Sequence, residues 1–422
     1  MKKITLIFAG IFSAFSMYGQ VIDTVSTGAS YVNDVYYSLE NGEIHSVERE
    51  NWDIAFASGG YGSTILTNEG SGTSLYFYSG GDTSAWSSID TSGISGWTKY
   101  YNSDSTWSIG AFSQTSTGDY DPVFNTYDMG WGVYSMDSHV VSGDSLFVIK
   151  LSNGNFKKLW IDRLQSGVYY FKYADLDGSN LVHDTVVKSQ YVNKNFAYYS
   201  IQNSTKLDRE PENSTWDLLF TKYNTPVNSQ YGLTPYGVTG VLSNEGVQVN
   251  KVSGVHNEDA DTLSTSFVSD IASIGWSWKS LNYSTFQYEV GDSTTHFVKT
   301  TTGDVWKLVM TGFGGSANGN YYFTKEKMLL SVDAEESLTV LDLSTYPNPA
   351  TDFLNIVLHQ NNADDLYVSV YTLSGSLVYS SNFAGNAGLN NLQLNVRDFS
   401  KGLYLINVEN QELSVQQKFV VK

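Results

Sequence analysis

Cysteine is absent from the 422 residues, and with it go disulfides, thiolate metal sites, iron–sulfur clusters, thiol nucleophiles and any lipid-modified N-terminal cysteine. Arginine is nearly absent: Arg49, Arg163, Arg209 and Arg397 are the only four, and 24 basic residues face 43 acidic ones for a net charge of −19. Such a chain has no cationic stripe to neutralise a phosphate backbone, which excludes nucleic acid and anionic lipid as partners. Beyond the N-terminus no segment approaches ~18 uninterrupted apolar residues, so no integral membrane segment is expected once the leader is removed. Gly-x-Ser-x-Gly, His-Glu-x-x-His, the P-loop and Gly-x-Gly-x-x-Gly are missing too, and the chain is not expected to be an enzyme. A glycoside hydrolase needs only two suitably spaced carboxylates and stands as the third reading.

What the chain does have is aromatic residues, 30 Tyr, 21 Phe and 10 Trp, too many large rings for a disordered polyelectrolyte. At roughly 100 to 200 residues per domain the length accommodates two to four domains. Residues 1–19 read as a secretory signal: Lys2 and Lys3, an apolar run from Ile4 to Phe15, then small or neutral residues to Gly19 and Gln20. Cleavage after Gly19 and cleavage after Ser16 are both compatible with it.

A long-period repeat organises the rest. Tyr31-Val32-Asn33, Tyr36-Tyr37-Ser38 and Trp52-Asp53-Ile54-Ala55-Phe56 recur in order as Tyr191-Val192-Asn193, Tyr198-Tyr199-Ser200 and Trp216-Asp217-Leu218-Leu219-Phe220. Further echoes are Asn68-Glu69-Gly70 with Asn244-Glu245-Gly246, Gly130-Trp131 with Gly275-Trp276, and Tyr169-Tyr170-Phe171 with Tyr321-Tyr322-Phe323. Within each copy the pattern has period two, as in Trp52, Ile54 and Phe56 on one face against Asp53 on the other, and this predicts strands. The best helical stretch is Phe267 to Ile274. Both Trp are expected in the core, with Asp53 and Asp217 satisfying loop amides or exposed. Asp175-Leu176-Asp177-Gly178-Ser179-Asn180 resembles part of a calcium loop but lacks its distal Glu, and a hairpin turn explains the Asp-Gly as well. No metal site is expected.

An acidic stretch around Ser331 to Ser344 leads into a third unit of alternating strands, among them Leu354, Ile356 and Leu358 on one face. Tyr346-Pro347-Asn348-Pro349-Ala350-Thr351-Asp352, Val370-Tyr371-Thr372-Leu373-Ser374-Gly375 and Gly402-Leu403-Tyr404 resemble the type A C-terminal sorting domain of the Bacteroidota type IX secretion system. That resemblance implies export by the secretion machinery acting through residues 346–422, and an extracellular or outer-surface address.

Through its Trp-Asp-Ile-Ala-Phe and Trp-Asp-Leu-Leu-Phe strands and its Gly-Trp and Tyr-Tyr-Phe segments, the duplicated region resembles the HmuY-like family. The resemblance implies an all-β fold and haem as ligand, held by two axial side chains. Haem iron takes His, Met, Cys or Tyr. His256 and His296 in the second copy are the first candidate pair, although no family motif carries them over, and Met129 and Met136 with His139 form the corresponding cluster in the first copy.

The expected architecture is all-β: residues 1–19 a signal peptide, 20–182 and 183–335 two related antiparallel domains, and 336–422 a small immunoglobulin-like β-sandwich. The expected function is ligand binding outside the cell, with haem or a porphyrin as the implied ligand. The alternative is a structural, adhesive or glycan-binding surface protein.

Overall fold

The computed structural model describes residues 21–422 apart from 61, 231, 264, 329–342, 361–362, 373–375 and 411–413. The expected signal peptide and most of the acidic stretch lie outside the described residues. The chain forms two compact units, Met1–Met328 and Leu329–Lys422. The fold is all-β and its named strands pair antiparallel; the helical segments among the described residues are short 3₁₀ turns. Phe267 to Ile274 is not helical. Its backbone is drawn into β-bridges, Val268 with Val249 and, just beyond it, Gly275 with Val241, because pairing with strands far away in sequence overrides local propensity.

In the first unit the strands do not sort by sequence copy. Asn33–Ser38 pairs with Leu218–Ser229, joining Leu218 to Tyr37 and Phe220 to Val35. Ile54–Ala57 pairs with Phe196–Ser200, joining Ala55 to Tyr198, and Val21–Ser26 lies along Asn320–Met328. The 182/183 boundary therefore does not separate the sheets, because each half lends its opening strands to the other.

The cores show the same exchange. One cluster holds Ile54, Phe56, Trp131, Phe147, Ile161 and Tyr169 together with Tyr191, Ala197, Tyr199 and Ile201. The other holds Leu218, Phe220, Val298, Leu308, Tyr321 and Phe323 together with Val25, Val35, Tyr37 and Leu39. Buried large apolar side chains contribute about 1.5–3 kcal/mol each, so each core depends on strands that the other half supplies.

The repeated Trp-Asp pairs lock the exchange. Trp52 and Trp216 are buried and meet the rings of Tyr198 and Tyr36 edge to face. Asp53 accepts the Gln202 backbone N–H at 3.0 Å and the Ser200 hydroxyl at 3.3 Å. Asp217 accepts the Leu39 N–H at 2.8 Å. Each carboxylate thus caps a turn of the other half. The tryptophans do not share the face of Ile54 and Phe56 or of Leu218 and Phe220: they stand just before the strands and pack with Ala55 and Leu219 on the other side.

The second unit is a small β-sandwich. Ser344–Tyr346, Phe353–Gln360 and Gly388–Asn395 form one sheet, and Leu377–Phe383, Leu366–Thr372, Gly402–Glu409 and Ser414–Val421 the other. The period-two residues Leu354, Ile356, Leu358, Val368, Val370, Ile406 and Val408 fill the space inside it. Asn348, in the Pro-Asn-Pro turn, accepts the Val420 N–H at 2.9 Å and ties that turn to the last strand.

Candidate functional site

A row of side chains, one from each of five neighbouring strands, runs along one sheet face, and four of them form the floor of a cleft. Tyr127 lies opposite Tyr134, Tyr134 opposite Val141, Val141 opposite Leu164, and Leu164 opposite Tyr169. Directly opposed residues share a sheet face, so these form one apolar strip. Tyr169 is fully buried, its hydroxyl donating to the carbonyls of Gly62 (3.1 Å) and Ala57 (3.3 Å). Burial raises its phenol pKa, so the ring stays neutral.

Above Tyr127, Tyr134, Val141 and Leu164 opens a cleft of about 700 Å³, also lined by Met129, His139, Ser63, Ser116, Ser166 and Lys188. That size lies within the roughly 300–1,000 Å³ of small-molecule sites. His139 ends the four-residue turn after Gly132–Ser135, its N–H bonded to Ser135 O at 2.9 Å and its φ at 55°. Its Nδ1 lies 2.9 Å from the Tyr134 hydroxyl, which occupies one ring nitrogen and leaves Nε2 as the remaining donor position. Met129 reaches the cleft from the turn before Gly132–Ser135, where its N–H bonds Gly132 O at 2.8 Å. Met136, the third member of the sequence cluster, is exposed and outside the lining.

The loop that walls the other side is held by one cation. Lys188 Nζ donates to the carbonyls of Gly59 (3.1 Å), Gly60 (2.7 Å) and Gly62 (2.8 Å). The side chain is buried, and desolvation lowers its pKa. Lys188→Ala leaves three carbonyls without their donor, and a loss of about 1.5–3 kcal/mol in urea denaturation is expected. An unchanged urea midpoint would show that the loop holds itself.

His256 and His296, the first sequence candidates, are not brought to a common cleft. His256 stands in solvent, 3.6 Å from Asp292. His296 is 0% exposed within its sheet, between Lys251 and Leu308, and both ring nitrogens lack a partner. Burial pushes its pKa down to about 3. Neither ring lines the 700 Å³ cleft. Period two carries alternate residues of a strand inward whatever their chemistry, and it carried His296 into the interior.

A smaller cavity of about 80 Å³ lies among Trp52, Tyr198, Arg209, Glu69 and Tyr223. Arg209 pairs there with Asp34 at 2.8 Å. The space suits about two or three water molecules and no larger ligand. Asp175 to Asn180 forms the turn before Val182–Val187, with Asp175 bound to Lys157 at 2.5 Å and accepting from Asn180. No group of three or more His, Asp or Glu suited to a metal occurs among the described residues.

The comparisons fall on this geometry. Residues 30–173 match the HmuY protein family. The HmuY-like segment contains Met129, Tyr134, His139, Val141 and Leu164, hence most of the cleft. Residues 344–422 match the secretion system C-terminal sorting domain, which implies export and an extracellular or cell-surface location. No curated protein matches. Among solved structures, the crystal structure of dimeric latent PorU from Porphyromonas gingivalis is similar at 10% identity, covering 92% of this chain and 40% of that one, with a TM-score of 0.19. A likeness that low carries no argument. No helix among the described residues is long and apolar enough to cross a membrane.

The donor set and the walls of the cleft fit haem. Imidazole and thioether are both axial ligands of haem iron. Tyr127, Tyr134, Val141 and Leu164 offer an apolar bed for a planar ring, while Ser63, Ser116 and Ser166 offer hydroxyls on the lining.

Proposed function

We propose that this chain is an exported, non-enzymatic binding protein that takes haem or a related porphyrin into the cleft of its HmuY-like segment. The observation that carries the reading is that the fold brings His139 and Met129 to one apolar cleft of ligand size. Haem, when bound, supplies the iron that these two side chains would ligate. His139 would offer Nε2 while Tyr134 accepts from its Nδ1–H and fixes the ring orientation. Met129 would offer its sulfur, and the tyrosine, valine and leucine strip would exclude water from the ring faces. The sorting tail supports delivery outside the cell by the type IX machinery. The repeated residues support a second HmuY-like half within 183–335 and an origin in the Bacteroidota.

Titrating the full chain with haemin is expected to give a saturable, sharp low-spin visible spectrum. His139→Ala and Met129→Ala are each expected to abolish that spectrum and weaken binding at least tenfold. His256→Ala should leave it intact. A spectrum unaltered by both cleft substitutions would overturn the assignment of the ligands. No saturable change at all would overturn haem and bring the adhesive or glycan-binding reading forward.

A further inference from the structure

The second half of the first unit repeats the backbone landmarks of the cleft, and this allows position-by-position comparison. His139, φ 55°, ends a turn by donating to Ser135 O, and Phe286, φ 54°, ends one by donating to Asn282 O. A register shift falls between Ile161 and Arg163 in one half and between Met310 and Gly312 in the other. Immediately after it Leu164 pairs with Tyr169, and Phe313 with Tyr321. Trp131 and Trp278, each buried one residue before the strand that enters the turn, meet Tyr169 at 6.4 Å and Tyr321 at 6.0 Å. Two residues beyond the turn, Val141 lies opposite Tyr134 and Tyr288 opposite Leu281.

Counted from these landmarks, His139 corresponds to Phe286 and Met129 to Trp276, and neither counterpart is an iron donor. The floor has changed as well. Val141 corresponds to Tyr288 and Leu164 to Phe313, two small side chains against two rings. The rings use the space: Tyr288 and Phe313 meet edge to face at 4.9 Å. Phe313 also packs on Tyr321 at 4.9 Å, Trp278 at 6.0 Å and Tyr31 at 6.0 Å. Edge-to-face and stacked contacts at these distances are favourable beyond area burial, so the cluster is a packed core.

We infer that Val141 and Leu164 are the residues that decide whether a half of this fold has a ligand cleft. The chain accordingly carries one such site, because Tyr288 and Phe313 fill its counterpart in the second half. The identity of the ligand rests on the haem reading above; the opening and closing of the cleft do not.

The test exchanges the floor residues in the full chain. Val141→Tyr with Leu164→Phe installs a combination that the second half already packs, and Tyr288→Val with Phe313→Leu does the reverse. Leu164→Phe alone serves if the double variant does not fold, as judged by its thermal melt. Wild type is expected to saturate at one haemin per chain, and the filled variant to bind at least tenfold more weakly.

Independently of haem, relaxation by a neutral soluble nitroxide is expected to broaden the Met129 methyl resonance in wild type but not in the filled variant. The indole resonances of Trp278, whose ring lies on Phe313, should be protected in wild type and broadened in the opened variant. Two haemins per chain, undiminished binding in the filled variant, or a Trp278 signal broadened in wild type would each overturn the inference. If wild type takes up no haemin, the haem reading falls and the nitroxide result alone decides the role of Val141 and Leu164.

Discussion

Residues 21–182 produced without the remainder of the chain are expected not to fold. That fragment lacks Phe196–Ser200, which pairs with Ile54–Ala57, and lacks Tyr191, Ala197, Tyr199 and Ile201, which stand inside its own core. Losing the burial of the three large side chains among them removes about 5–9 kcal/mol. Typical domain stability is only about 5–15 kcal/mol. Asp53 would lose the Gln202 N–H and the Ser200 hydroxyl that satisfy it. Circular dichroism should show no cooperative melt, and amide NMR should show collapsed dispersion. Co-expression with residues 183–328 should restore both, because the missing strands then return in trans. A cooperative melt from 21–182 alone would show that the exchange is dispensable.

The second large effect is on the pH dependence of stability, where two buried groups act with opposite sign. His296 has its pKa pushed down to about 3 by burial, against about 6.5 in an unfolded chain. Below pH 6.5 the unfolded state binds a proton that the folded state refuses, so this contribution is lost as pH falls from 6.5 towards 3. Glu210 is also buried, accepting from the Asn195 N–H at 2.8 Å, the Phe196 N–H at 3.2 Å and the Tyr198 hydroxyl at 3.1 Å. Desolvation nevertheless raises its pKa to about 7. The folded state keeps a proton that the unfolded state has given up above about pH 4.5, so stability falls as pH rises from there to 7.

Each contribution can reach about 1.4 kcal/mol per pH unit, and from pH 4.5 to 6.5 they oppose each other. His296→Leu should therefore gain stability relative to wild type as pH falls through that window, and Glu210→Gln as pH rises through it. At pH 7.5 His296→Leu should also be more stable by about 1–3 kcal/mol, because it deletes two buried nitrogens without partners. Urea midpoints from pH 4 to 8 measure all of this. Profiles parallel to wild type would show that the two groups are solvated in the native state.

Much of the strand content was legible because the period-two pattern is local. Ile54 and Phe56 share one face, as do Leu218 and Phe220, but Trp52 and Trp216 precede the strands and pack on the opposite side with Ala55 and Leu219. The tail was legible for the same reason, with Leu354, Ile356 and Leu358 pointing inward together. The pair that lines the cleft was legible only in part. Met129 and His139 stood in the sequence as a cluster beside Met136, but so did His256 and His296, and nothing in their spacing says which rings end in a cleft.

The chain by itself determined the all-β class, the sorting tail and the exclusion of thiol chemistry, since these follow from composition and near-neighbour pattern. Tertiary structure alone decided three things: that Ile54–Ala57 takes its partner from across the 182/183 boundary, that His296 is sealed in a sheet, and that Tyr127, Tyr134, Val141 and Leu164 align into one floor. Each of these depends on the register between strands, and register is set by the packing of faces contributed from distant parts of the chain. A one-residue slip would turn every one of those side chains to the opposite face.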